Sequence, residues 1–117
     1  MDDVQNEEPF ILMNLKNYNE SHFKTKHSAS DYADMLAMTQ KALSKLTKTH
    51  LNKTLTDLIA ERIIIEAKRE LYLTHKTVKE IAYELGYKDE FYFSRFFKKN
   101  VDVSPQLYRE TVGFDRA

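Results

Sequence analysis

Ser44 and Lys45 recur as Ser94 and Arg95 exactly one repeat later, an offset of 50 residues. The same offset places Lys41 against Phe91 and Lys48 against Lys98. These residue types do hydrogen-bond and charge chemistry. A guanidinium fork can bond O6 and N7 of a guanine together and so discriminate between bases by ~1–3 kcal/mol. An ammonium offers a looser point charge, and a hydroxyl both donates and accepts. Together they suit base edges and phosphates. Covalent chemistry has no candidate: there is no Cys, Gly-rich phosphate loop, nucleophile elbow or metalloprotease motif, so the chain is not expected to be an enzyme.

Short helices must hold these side chains. In EIAYELGYKDEFYFSRFFKKN, residues 80–100, Ile81, Ala82 and Leu85 mark one apolar face of a helix that stops at Gly86. Glycine enters the left-handed region without steric cost and lets a second helix leave at a steep angle. Asp89 reads as its N-cap, with Phe93, Phe96 and Phe97 turned inward. That is a helix-turn-helix pattern. Its outer side carries Glu90, Phe91, Tyr92, Ser94, Arg95, Lys98 and Lys99.

The pattern occurs twice. The 50-residue offset also pairs Leu43 with Phe93, Leu46 with Phe96, Asn52 with Asp102 and Thr54 with Ser104. Upstream of Thr39 and Asp89 the offset falls to 49, pairing Ser28 with Thr77, Asp31 with Glu80, Leu36 with Leu85 and Ala37 with Gly86. One extra residue in the second turn accounts for the slip. Two copies separated by a long helix are two reading units, not a solenoid.

Composition narrows the class. With Gly 2 and Pro 2 the 117 residues have almost no hairpin chemistry, so an all-α fold is expected. Cys 0 excludes a disulfide scaffold, a thiolate metal site and a cysteine nucleophile, and fits a reducing interior. His22, His27, His50 and His75 show no ligand spacing, so neither metal nor cofactor is expected. No apolar run approaches the ~20 residues of a membrane helix, and the acidic start is unlike a signal peptide, which points to a soluble intracellular protein with no membrane partner. The net charge of +0 is unevenly spread: residues 1–20 carry −4 and residues 21–117 carry +4. A local basic stripe meets phosphate whatever the total is.

The chain divides as follows. Residues 1–6 read as a disordered tail, and residues 7–53 as a supporting helix plus the first helix-turn-helix unit. The supporting helix shows Phe10, Ile11, Leu15 and Tyr18 as one face, with Pro9 in its first turn. Ser28 and Asp31 form a capping box, Ala37-Met38 is the turn, and Thr39 caps a helix with Ala42, Leu43 and Leu46 inward. Ala at the turn either avoids a positive φ or bears strain. Residues 54–73 form a linker helix with Leu58, Ile59, Ile63, Ala67 and Leu71 as its spine. Residues 74–117 hold the second unit, opened by the Thr77/Glu80 box, and a last helix begun by Ser104-Pro105.

EIAYELGYKDEFYFSRFFKKN followed by VSPQLYR, with SDYADMLAMTQKALSKLTKTH upstream, resembles the DNA-binding domain of AraC/XylS-type bacterial transcription regulators over roughly Phe10–Val112. The resemblance implies a seven-helix pair of helix-turn-helix units bridged by a long helix, bound to double-stranded DNA on a bacterial chromosome in the cytoplasm. It implies recognition helices at about 40–50 and 90–99, reading adjacent major-groove segments. It also implies a separate effector or dimerisation domain in the full-length protein, and RNA polymerase as a partner if the regulator is an activator. The chain departs from the family at Asn52 and Asp102, where Gly is usual, at Ile63, where Arg is usual, and at Glu70, a usually apolar position.

Gln40, Lys41, Ser44 and Lys45, with Glu90, Phe91, Tyr92, Ser94 and Arg95, are the expected base-reading set. Arg95 is its sharpest member, the alternative being a surface ion pair with Asp89 or Glu90. Phe91 suits a thymine methyl or, equally, packing against its own protein. Ser28, Thr39, Lys48, Thr77, Lys98 and Lys99 are the expected phosphate contacts, with plain solvation as the alternative for the lysines. Segments about one helical turn apart, ~34 Å, would give an asymmetric site without a dimer. A competing reading is a helical protein-interaction module using Phe91, Tyr92 and Phe96. A non-specific architectural DNA binder is a second, but such proteins are usually far more basic.

Overall fold

Capping side chains at helix starts, and left-handed residues at four of the stops, divide the chain into helices, with no strand among the described residues. The computed structural model describes the backbone of residues 3–114 and the side chains of residues 7–112. The helices are α1 (Asp3–His22), α2 (Ala29–Met35), α3 (Gln40–Leu51), α4 (Leu55–Leu73), α5 (Val78–Glu84), α6 (Glu90–Val101) and α7 (Pro105–Phe114). The chain forms two compact units, Met1–Arg62 and Ile63–Ala117, so α4 belongs partly to each.

The starts of α2 to α7 are satisfied locally. The Ser28 hydroxyl accepts from the Asp31 amide at 3.2 Å while Asp31 accepts back from the Ser28 amide, and Thr77 and Glu80 do the same at 3.0 Å each way. Thr39, Thr54, Asp89 and Ser104 accept from the amides of Ala42, Asp57, Phe91 and Leu107. These bonds use donors that the first helical turn would otherwise leave unpaired.

The stops repeat as well. In the first unit the Met38 amide returns to the Ala33 carbonyl at 2.9 Å, and in the second the Tyr87 amide returns to Ala82 at 2.9 Å. Ala37 and Gly86 lie at the bend with φ of 55° and 91°. This is the Schellman closure, which glycine enters freely and alanine enters at a cost of about 1–2 kcal/mol. Ala37 therefore carries the strained form of the two expected. Met38 alone then separates Ala37 from the cap Thr39, whereas Tyr87 and Lys88 separate Gly86 from Asp89, which locates the extra residue. Asn52 and Asp102 end α3 and α6 in the left-handed region, at φ 56° and 75°.

In the first unit α1 supplies Leu12 and Leu15, α2 supplies Tyr32 and Ala33, α3 supplies Leu43, and α4 supplies Leu55 and Ile59, all buried. The Tyr32 hydroxyl donates to the Lys26 carbonyl at 2.8 Å, and burial pushes its phenol up to about 12. The second unit packs Ile63, Ala67 and Leu71 of α4 with Ile81, Ala82, Leu85, Phe93 and Phe97. Ring contacts run from Tyr108 to Phe97 at 5.7 Å, on to Phe93 at 6.1 Å, and from Phe93 to Tyr87 at 5.4 Å.

Several expectations shift. Helix α1 begins at Asp3, inside the stretch read as a tail, while Met1 and Asp2 lie outside the described residues. Pro9 is consequently the seventh residue of α1 rather than a first-turn residue. Of the face expected for α1, Leu15 is buried and Ile11 half-buried, but Phe10 and Tyr18 are exposed while Leu12 and Asn19 are buried, so the inward face is turned part-way around the helix from the expected one. In α3, Ala42 is exposed and Thr47 is fully buried, its hydroxyl donating to the Ser44 carbonyl at 2.9 Å. An internal acceptor makes a buried threonine tolerable where Phe97 stands in the second unit. Leu46, Leu58 and Phe96 are half-buried.

The departures at α4 have local partners. Ile63 is buried, and the neighbouring Arg62 lies 3.9 Å over the Phe23 ring and donates through Nε and Nη2 to Glu20 at 2.9 and 2.7 Å. That bond holds the Glu20 carboxyl below its ordinary range. Glu70 accepts from Lys76 at 2.9 Å, and Lys76 also reaches Glu84 at 2.8 Å, so the two carboxylates hold this ammonium above its usual range. Arg109 donates to the Leu71 and Thr74 carbonyls at 3.1 and 3.4 Å, closing the end of α4.

Candidate nucleic-acid interface

The outer sides of α3 and α6 repeat one another residue by residue. From Lys41 to Leu51 and from Phe91 to Val101 the exposed, half-buried and buried positions follow the same order. Leu43 and Thr47 face inward in α3, as Phe93 and Phe97 do in α6. A helix buried on two positions four apart must present the rest to solvent.

Every expected site residue is exposed or half-buried. Gln40, Lys41, Lys45 and Lys48 are exposed on α3, with Ser44 half-buried between them. Phe91, Tyr92, Arg95, Lys98 and Lys99 are exposed on α6, with Glu90 and Ser94 half-buried. Phe91 is 68% exposed, so packing against its own protein does not account for it. Ser28, Thr39 and Thr77 are exposed and serve as N-caps. A cap uses an oxygen lone pair and leaves the hydroxyl proton to donate outward.

Cations divide by place. Lys53 pairs with Glu61, Arg62 with Glu20, and Lys76 with Glu70 and Glu84. Among the described residues no ion pair includes Lys41, Lys45, Lys48, Arg95, Lys98 or Lys99. Asp89, the expected competitor for Arg95, has its carboxylate at the Phe91 amide, 2.8 Å away. Arg95 instead has its guanidinium carbon 5.8 Å from the centre of the Tyr92 ring. The positive charge on both helices is thus left toward solvent, where it can meet an anion.

An open cleft of about 610 Å³ runs beside α6 and brings together Thr77, Glu90 and Ser94. It also contains His75, Lys79 and Arg109, which the sequence reading did not place at the site. Lys79 follows a recognisable cap by two residues, and that signal was available. Arg109 is 35 and 38 residues from the carbonyls it binds, and no local pattern announces such a pairing. Among the described residues no group of three or more His, Cys, Asp and Glu could hold a metal ion, and no helix is long and apolar enough to cross a membrane.

A family of helix-turn-helix domains matches residues 32–111, a span that holds both turns and both outward helices. The chain belongs to the AraC/XylS-type family of transcription regulators. The raffinose operon regulator RafR of Pediococcus pentosaceus is 32% identical over 110 residues, which are 94% of this chain and 39% of RafR. The activator Btr of Bacillus subtilis strain 168 is 38% identical over 80 residues, 68% of this chain and 15% of Btr. The chain thus spans less than half the length of these relatives. Among solved structures, the C-terminal domain of the response regulator AraT from Geobacillus stearothermophilus superposes with a TM-score of 0.79 at 30% identity, over 86% of this chain and 84% of that one.

Proposed function

We infer that this chain is a sequence-specific double-stranded DNA-binding unit of a transcription regulator, with α3 and α6 as its two recognition helices. One observation carries the reading: Ser44-Lys45 and Ser94-Arg95 stand at equivalent exposed or half-buried places on two helices built by the same caps and turns. A protein-interaction surface has no need of that repetition, so the aromatic Phe91, Tyr92 and Phe96 module is not favoured.

In this reading Gln40, Lys41, Ser44 and Lys45 face one major-groove segment, and Glu90, Phe91, Ser94 and Arg95 face the next, with Tyr92 beside them. Arg95 takes a guanine, and Phe91 meets a thymine methyl. Lys48, Lys98 and Lys99 bind phosphates, as do the capped helix starts at Ser28, Thr39 and Thr77. Glu90 accepts from a cytosine amine and repels phosphate, which penalises wrong sites. The greater length of the relatives supports a separate effector or dimerisation domain in the whole regulator. Btr is named a transcriptional activator, which supports RNA polymerase as a partner of the whole regulator, and the bacterial relatives support the cytoplasm as the regulator's place.

Binding to a pool of random duplexes, selected and sequenced at two salt concentrations, tests this. One asymmetric site with two conserved blocks about a helical turn apart is the expected result. Retention without enrichment, and strongly salt-sensitive, would count against it. On the selected site, Arg95→Ala relaxes preference at one base pair by ~1–3 kcal/mol, while Lys98→Ala weakens all sequences alike. Equal, sequence-independent losses from both would reverse these assignments.

A further inference from the structure

We propose that Tyr92 is a positioning residue for Arg95, holding its guanidinium in place through a ladder of rings that reaches into the core of the second unit. The inference rests on the reading of α6 as a recognition helix and adds how its sharpest side chain is held.

Arg95 lies three residues after Tyr92, one turn along the same side of α6, with its guanidinium 5.8 Å from the ring centroid. That distance is within the ~6 Å over which a cation is drawn to an aromatic face. Tyr92 is 59% exposed and would swing freely if nothing stood behind it. Its ring is backed by Tyr87 at 6.0 Å. Tyr87 is buried, 5.4 Å from Phe93 and 5.8 Å from Phe96, and burial raises its phenol well above the ordinary tyrosine range. From the core outward the path is Phe97, Phe93, Tyr87, Tyr92, Arg95.

An arginine loses rotamer freedom when it binds a base bidentately. Holding part of that freedom beforehand leaves less to lose at the wanted base and makes a differently placed base a poorer fit. The equivalent places on the first unit are Met38, Ala42 and Lys45, which provide neither ring nor fork. The ladder is therefore a property of the second unit and not of the repeated backbone.

The test uses the whole 117-residue chain and four duplexes that differ only at the base pair whose preference Arg95→Ala removes. Tyr92→Leu is expected to cut discrimination at that base pair about two- to fivefold, the range of one exposed cation–π contact. Preferences elsewhere, the salt slope and the melting temperature stay unchanged, and Tyr92→Phe restores the discrimination. A merely structural role would instead lower the melting temperature and weaken all four duplexes equally. If Leu lowers the melting temperature, Tyr92→Gln repeats the test with a ring-free helix former. Full discrimination without the ring, or loss at a different base pair, overturns the proposal while leaving the reading of α6 standing. A silent Arg95→Ala removes both.

Discussion

Met38, Ala42 and Lys45 of the first unit occupy the places that Tyr87, Tyr92 and Arg95 hold in the second. Inside, Leu43 and Thr47 answer to Phe93 and Phe97, so at these places α3 buries an aliphatic and a hydroxyl group where α6 buries two rings in tilted contact. The backbone is indifferent to the exchange. Caps, Schellman closures and left-handed stops fall at matching positions in both. Backbone geometry is set by a few capping and bend residues, and the side chains between them are free to diverge toward different rigidity and different reading chemistry.

Truncating the core breaks this comparison most severely. Phe93→Ala removes a fully buried ring that touches both Tyr87 and Phe97, and is expected to cost ~3–5 kcal/mol. Leu43→Ala, at the equivalent place, is expected to cost ~2–5 kcal/mol, toward the lower end if Thr47 and its neighbours close in. Amide hydrogen exchange reads each unit separately; the comparison fails if Phe93→Ala deprotects α2 and α3 as strongly as α5 and α6.

The bends offer substitutions of opposite sign. Ala37→Gly relieves a left-handed alanine and is expected to stabilise by about 0.5–1 kcal/mol after glycine's greater unfolded-state freedom is allowed for. Gly86→Ala introduces the same strain, partly offset by alanine's smaller unfolded-state freedom, and is expected to destabilise by about 0.5–1 kcal/mol. Urea midpoints moving in the same direction would show that the two turns are not equivalent.

Acid acts on the second capping box by the smallest margin. The Thr77 amide donates to Glu80 and holds its carboxyl below its ordinary value of 4.5. Because the folded value is the lower one, Glu80's contribution is fully present above about 4.5 and is lost as pH falls through the folded value. Glu80→Gln keeps an acceptor without the charge, so the second unit should lose that part of its acid sensitivity. Urea midpoints at neutral pH and near pH 3 would measure it, and an unchanged acid dependence would discount the box as its source.

Much of this was legible because it is written locally. Thr39, Thr77, Asp89 and Ser104 cap helices a few residues away, Asn52 and Asp102 stop them in place, and the slip from 50 to 49 located the longer turn. α4 runs from Leu55 to Leu73, within the expected 54–73, with Thr54 as its cap. What stayed hidden depends on distance or on which way a side chain turns. Thr47 looks like a surface residue until its hydroxyl finds the Ser44 carbonyl, and Ala42 fits either face of α3. Arg62 meets Glu20 across 42 residues and Arg109 meets Leu71 across 38, pairings for which one sequence has no signal. For the site, residue types and exposure were readable, whereas the support of Arg95 by Tyr92 and Tyr87 needed the turn to be built first.

The local bonds at the helix ends also bear on how fast the chain folds. A cap such as Thr77, or a bend such as Gly86, marks its helix boundary before any distant partner has arrived. The slow part of the search is then the docking of segments whose boundaries are already marked, the regime in which small helical proteins fold in microseconds to milliseconds. With no Cys in the chain, no disulfide has to form before the segments dock. Such a unit regains its shape quickly after each thermal opening.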